Sequence, residues 1–319
     1  MDAAPIQNVR KKNYWTTEKK KNLVAYVYIS PFYILFLTFG LFPIVSGFYI
    51  SFFRWDGLSP MHFLGLENYL NLLRDPLFLK ALTNTLFIGV ISHIPILGGG
   101  LVLAYILNSK LVEWKNVFRT IYFMPMVTSS VAITIIFQSL FGYNYGLINW
   151  FVINGLGSPP VNWLSGDGSL IKVAVIVMFA WKWIGWNMVI YLAGMQGISV
   201  DIYEAATIDG AGHARIFGQI TIPLLKPIIL FTLIQSSIGM FGLFTEPYIL
   251  TGNSFSGGVN NGGLTLMMYL LGKAPQGGNA YGYGSACAYV ITVMIMIISF
   301  TMSRLFEERD HTARKGKKS

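Results

Sequence analysis

The sequence predicts an all-α, polytopic membrane protein with six transmembrane helices and a polar helical hairpin between the fourth and fifth. Composition is the first reason. The 319 residues are 54% hydrophobic and 12% charged, with a mean hydropathy of +0.54, too apolar for an ordinary soluble domain. The second is confinement of charge to short clusters between long apolar windows. The third is that the basic clusters fall on alternate sides of those windows. That is a topological pattern and not a single basic face, so the net charge of +9 implies no nucleic-acid partner.

Spans are expected near 23–52, 82–108, 118–140, 170–193, 228–250 and 283–304. Each approaches or exceeds the about 20 residues that cross a bilayer core, and the longer first one has room to tilt. Residues 1–22 form a basic segment, and 305–319 a basic tail. The apolar run from Leu23 to Phe53 outlasts the roughly 7–15 residues of a signal-peptide core, so the first span is expected to stay as an anchor. Pro31, Pro43, Pro95 and Pro125 lie in or at the edges of spans, where neighbouring helices can satisfy the freed carbonyls. Gly98, Gly99 and Gly100 offer a small-residue patch for close helix packing. The loops at 54–81, 141–169 and 251–282 are rich in turn formers. In the first, Glu67 to Leu73 is expected as a short helix and Asp75-Pro76 as a turn start. Cys287 is the one cysteine, which excludes an intrachain disulfide and a multi-cysteine metal site. No internal repeat is visible.

Charge sets the orientation. With both termini cytoplasmic, the inside segments hold 17 of the 23 basic residues, and the outside loops keep only Arg54, Arg74, Lys80 and Lys273. Lys172 and Lys182 fall in the fourth span. This positive-inside bias places the hairpin in the cytoplasm.

The hairpin runs from Tyr203 to Pro227. Asp201 is expected to cap its first helix, with Glu204 at a capping-box-like spacing. Gly210 and Gly212 permit the turn, and Pro223 and Pro227 close the passage into the fifth span. Glu204-Ala205-Ala206, then Gly210, Ile220, Ile222 and Pro223 recur at a spacing that resembles the cytoplasmic loop of the membrane subunits of binding-protein-dependent ABC importers. Tyr203 and the run Asp209 to Gly212 resemble the sugar-importing branch, of the maltose and glycerol-phosphate permease type. The resemblance implies a type I ABC importer permease architecture in the bacterial cytoplasmic membrane. It also implies that Glu204, Ala205, Ala206, Asp209, Gly210, Phe217, Ile220 and Pro223 form the ATPase-coupling loop. Small alanines let a helix sit deep in a groove, and Ile208, Phe217 and Ile220 supply apolar anchors.

The implied partners are a second homologous permease subunit, two ATPase subunits, an extracytoplasmic solute-binding protein, membrane lipid and an oligosaccharide or related polyol. No Gly-x-x-x-x-Gly-Lys-Ser/Thr loop is present. The chain is therefore expected to hold no cofactor and to catalyse nothing itself; ATP and Mg would be bound by the partner ATPase subunits.

In the family, substrate contacts come chiefly from the spans flanking the hairpin. The fourth carries Trp181, Lys182, Trp183, Trp186, Asn187 and Tyr191, aromatic rings suited to packing on sugar C–H groups. Trp183, Trp186 and Asn187 can share a helix face; Lys182 points about 100° away. A mid-span lysine is either a ligand for an acidic group, such as a uronate, or a structural charge with a buried partner. The fifth span offers Gln235, Ser236, Gly239 and Met240, a stripe that fits either a translocation pathway or interhelical hydrogen bonding. Glu246, near the outer mouth, is expected to be structural.

Two other functions stand against this one. An ion-coupled secondary transporter of a small polar solute would want a mid-membrane carboxylate or ion site, and the spans hold almost none away from their ends. An intramembrane enzyme would want clustered chemistry, whereas His62, His93, His213 and His311 are scattered.

Overall fold

The computed structural model describes residues 14–109, 112–273 and 280–315. Of the basic residues counted above, Arg10, Lys11, Lys12, Lys110, Lys317 and Lys318 lie outside these. The chain divides into two units at Ile50.

The described part of the first unit is one continuous helix: α1 (Tyr14–Leu35), a π-helical turn Phe36–Leu41, and α2 (Phe42–Ile50). Its apolar part, Lys19–Ile50, is 32 residues long and none of its most apolar window is buried within the chain. A helix apolar on every side needs an apolar surrounding, which a bilayer supplies.

In the second unit, a minimal antiparallel pair, β1 (Phe53–Arg54) and β2 (His62–Phe63), sets Phe53 opposite Phe63. Then come α3 (Glu67–Arg74) and α4 (Pro76–His93). Asp75-Pro76 is a helix start and not a free turn. The Asp75 carboxylate accepts from the Leu77 N–H at 2.8 Å with Pro76 in the first turn, where a proline loses no hydrogen bond. Through a π turn at Ile94–Gly99, α4 runs on into α5 (Gly100–Asn108). The third span, expected as one helix over 118–140, is instead two, α6 (Lys115–Val127) and α7 (Ser130–Leu140), meeting at 97°. Thr128 and Ser129 are non-helical at the join. A short helix α8 (Leu147–Leu156) follows, then α9 (Ile171–Gln196), unbroken over 26 residues.

Beyond α9 lie α10 (Val200–Ile208), α11 (His213–Ile216), a π turn Phe217–Thr221 and α12 (Ile222–Leu224). The segment His213–Leu224 meets α13 (Lys226–Phe241) at 71°. The fifth span, expected to run to residue 250, breaks after Phe241 and resumes as α14 (Thr245–Leu250). The unit ends with α15 (Leu266–Lys273) and α16 (Ala280–Lys315). Among the described residues, four helices are long and apolar enough to cross a membrane, or six if each bent pair is one span.

Each π turn has a proline beside it: Pro43 after the first, Pro95 inside the second, Pro223 after the third. Proline cannot donate to the carbonyl four residues back, and its ring crowds that carbonyl. Widening the turn takes up the mismatch.

The second unit is organised around α9, which packs against α4, α5, α6, α7, α13 and α14. Half of its apolar window is buried, against 28% and 17% for the other two long helices of the unit. Contacts are close because glycines stand at the crossings. A Cβ at Gly185 would lie 1.7 Å from the Tyr122 carbonyl oxygen of α6. At Gly100 it would meet the Ile184 carbonyl of α9 at 3.2 Å, and at Gly99 the Ile184 Cδ1 at 2.7 Å; at Gly98 nothing lies within 4 Å. Two of the three glycines in the expected patch therefore face α9. Gly185→Ala is expected to force α6 from α9 and cost about 1–3 kcal/mol, read as a lower melting temperature of the purified protein in detergent; Gly98→Ala should leave it unchanged.

Candidate functional site

The hairpin begins with a cap two residues earlier than expected. Ser199, and not Asp201, is the N-cap: its Oγ accepts from the Asp201 N–H at 3.3 Å and donates to the Asp201 carboxylate at 3.0 Å. At the other end of α10, Gly210 takes φ +77°. Its N–H donates to the Thr207 carbonyl at 3.0 Å, while Ala211 N–H donates to the Ala206 carbonyl at 2.9 Å. These paired bonds close the helix and demand a left-handed residue between them, the place where glycine carries no steric penalty.

Two faces of the hairpin differ. Glu204, Ala205, Ile208, Asp209, Gly210 and Pro223 are exposed, and Ile208 keeps 86% of its surface. Ala206 is buried and Ile220 half-buried. Phe217 departs from its expected role as an outward anchor. Its ring packs at 4.8 Å on Tyr105 of α5, and the Tyr105 hydroxyl donates to the His213 carbonyl at 3.1 Å. Tyr105 thus pins the second half of the hairpin to the end of α5, leaving the Glu204, Ala205 and Ile208 side of α10 open.

Near the middle of α9, Lys182 is buried and ion-paired with Glu246 at 2.8 Å, with side-chain exposures of 8% and 9%. Its ammonium also donates to the Ser130 hydroxyl and lies 5.8 Å from the centre of the Trp183 ring. Glu246 is the residue whose part sequence reasoning understated. A lone carboxylate in the fifth span and a mid-span lysine in the fourth are the signal that would have paired them, because each is costly alone. Beside Glu246, the Leu243 carbonyl freed by the break in the fifth span accepts from Thr265 Oγ1 at 2.7 Å.

Trp183 is half-buried, rests on Phe179 at 6.1 Å, and buries its indole N–H without a hydrogen-bond partner among the described residues. Trp186, half-buried, sits 6.1 Å from Phe123. Asn187 turns inward: it is buried, and its amide donates to the Trp183 carbonyl at 3.1 Å on its own helix. On α13, Gln235 and Gly239 are exposed and Ser236 half-buried, and a Cβ at Gly239 would meet nothing within 4 Å. Met240 differs from the expected stripe. It is buried at 4% exposure with its sulfur against Gly89 of α4, a core position.

In the loops between α2 and α3 and between α8 and α9, two aspartates fix turns. Asp56 Oδ1 accepts from the Leu58 and Ser59 N–H groups at 2.9 and 2.7 Å, and Ser59 Oγ donates to its other oxygen. The hydroxyl and these N–H groups hold the Asp56 carboxyl at about 2, so it stays ionised through neutral and mildly acid pH. The Ser169 hydroxyl and N–H lower that of Asp167 in the same way.

Comparison with known proteins agrees with this geometry. Residues 80–309 match the family described as "Binding-protein-dependent transport system inner membrane component". The arabinooligosaccharides transport system permease protein AraP of Bacillus subtilis (strain 168) is 36% identical over 307 residues, covering 94% of each chain. The lactose transport system permease protein LacF of Rhizobium radiobacter is 36% identical over 285 residues, covering 89% of this chain and 94% of that one. In fold, the chain resembles one in the crystal structure of a bacterial ABC transporter involved in import of the acidic polysaccharide alginate. There the TM-score is 0.78 at 20% identity, covering 93% of this chain and 99% of the other. With most of its length inside the family and full-length relatives at this identity, the chain belongs to the inner membrane components of binding-protein-dependent transport systems.

Proposed function

We propose that this chain is the permease through which an oligosaccharide, handed over by an extracytoplasmic binding protein, is driven inward by ATP hydrolysed on partner subunits. The observation that carries the coupling half of this reading is the hairpin: an exposed face of Glu204, Ala205 and Ile208 on a helix that follows α9 after three residues. Glu204 offers a charge to a basic residue of the ATPase, and Ile208 an apolar knob for its groove. The distribution of 17 of 23 basic residues supports a cytoplasmic hairpin with both termini on the same side. The substrate class is supported by the arabinooligosaccharide and lactose systems of the relatives.

The pathway is assigned to Trp183, Trp186, Gln235, Ser236 and Gly239, which keep exposed or half-exposed surface on α9 and α13. Trp183 is the strongest of them, because its half-exposed ring can pack on the C–H surface of a sugar and its buried N–H is a donor that a hydroxyl could take up as the spans re-pack. Of the two readings of Lys182, the pairing with Glu246 favours the structural charge, so a uronate on the substrate is not needed to neutralise it. Six spans make half a pathway, and a second, similar permease subunit is the natural complement. Transport would follow from ATP-driven closure of two ATPase subunits moving the hairpins and re-packing the spans between inward- and outward-open arrangements.

In proteoliposomes holding the complete complex, Glu204→Ala or Gly210→Pro should lower binding-protein-stimulated ATPase and sugar uptake by about tenfold or more, the loss of about 1.4 kcal/mol of docking. The protein should remain in the membrane. Normal coupled activity in both variants would overturn the docking assignment. Trp183→Phe, which keeps an aromatic ring but removes the N–H along with the five-membered ring, should raise the half-saturation for sugar uptake by at least about 2–10-fold, the worth of one hydrogen bond. Trp181→Phe should not.

A further inference from the structure

The partners of Lys182 are placed in a way that simple charge neutralisation does not require. Ser130 is the first residue of α7, just beyond the 97° bend in the third span. Glu246 is the second residue of α14, just beyond the break in the fifth. One ammonium therefore ties together the first turns of the two segments that resume after a break. These two segments come from chain positions 52 residues before and 64 residues after Lys182. The ammonium stands on the one central helix that does not break. Lys182 is 11 residues from the start of α9 and 14 from its end, and only Gly197, Ile198 and Ser199 separate that end from α10 of the hairpin.

Resting on the reading of the hairpin as the ATPase-docking element, we infer that Lys182, Glu246 and Ser130 form a charged staple that makes both broken spans follow α9. When the hairpin is displaced, α9 moves as a rod. It is locked against α6 at Gly185, less than a turn from Lys182, where the crossing leaves no room for a Cβ. The staple passes that movement to α7 and α14. Separating a buried pair leaves both charges exposed to an apolar surrounding, so the three segments shift together or not at all. Trp183, next in sequence and within 5.8 Å of the same ammonium, puts the sugar-facing wall beside the staple. Lys182, Glu246 and Ser130 are positioning residues here, acting through the helices they join.

A staple and a merely structural ion pair respond differently to removal of both charges. Replacing a buried pair with apolar groups of similar size often leaves stability intact. The test is the complete complex in proteoliposomes, with Lys182→Met, Glu246→Leu and the double variant. Melting temperature, ATPase with and without sugar-loaded binding protein, and sugar imported per ATP are measured. Each single change should lower the melting temperature. The double change should restore it, yet reduce binding-protein stimulation and sugar per ATP by at least about fivefold, the lower range of coupling between distant sites.

Full stimulation and full sugar per ATP in the stable double variant would overturn the inference. If the double variant does not assemble, Glu246→Asp decides. It keeps both charges but shortens the reach, and is expected to keep the melting temperature and lose coupling; full coupling there would equally refute the staple. A wild-type complex with no ATP-dependent uptake would instead refute the functional reading itself, which separates the two failures.

Discussion

A lysine in the middle of an apolar helix constrains everything around it. Hydrocarbon offers its ammonium no hydrogen bonds, and the charge is tolerable only with a carboxylate and a further acceptor brought to it. In this chain those groups are Glu246 and Ser130, and both lie at places where a span has been broken. The breaks free backbone groups that must be satisfied within the protein, as Thr265 does for the Leu243 carbonyl. Charge burial and helix breakage thus meet at one place on α9, and the glycine crossings at Gly185 and Gly100 hold α9 close enough to its neighbours for the pairing to be made.

The hairpin is built on the opposite principle. It exposes its distinguishing residues and relies on backbone geometry for shape. Gly210 ends α10 with the two reciprocal carbonyl contacts of a left-handed terminus, and the packing of Tyr105 on Phe217 fixes the return strand of the hairpin to α5. The resulting exposed patch is small, with acidic charge at Asp201 and Glu204 and a prominent apolar side chain at Ile208. Such a patch has a defined attitude relative to α9 because only three residues separate α9 from α10.

Prolines shape the spans more gently than a simple breaker rule suggests. Pro43 and Pro95 each accompany a π turn and not a break in the helix, because one widened turn relieves both the missing donor and the steric clash; Pro223 follows a π turn too, just before the 71° bend into α13. Pro125 lies within α6, and the bend in that span comes afterwards, at Thr128 and Ser129. The third span therefore read as continuous from residue 118 to 140, since hydropathy measures only the solvent a segment prefers and carries no record of its direction.

By itself the sequence determined the membrane class, the hairpin and its signature, because these depend on local quantities: the length of apolar windows, charge clustering, and glycine and proline at fixed spacing. It also marked Lys182 as a costly charge, and set Glu246 aside as structural. Tertiary structure decided what no local pattern encodes. It set Lys182 against Glu246 across 64 residues, turned Phe217 and Met240 inward, left Ile208 outward, and broke two spans where the charged pair could be reached. Pairing and facing are properties of helix crossings, and a crossing is fixed by which side chains on two distant segments leave room for each other. Gly185 beneath the Tyr122 carbonyl is the plainest instance: in the sequence it is one of 33 glycines, and only packing shows why no other residue fits.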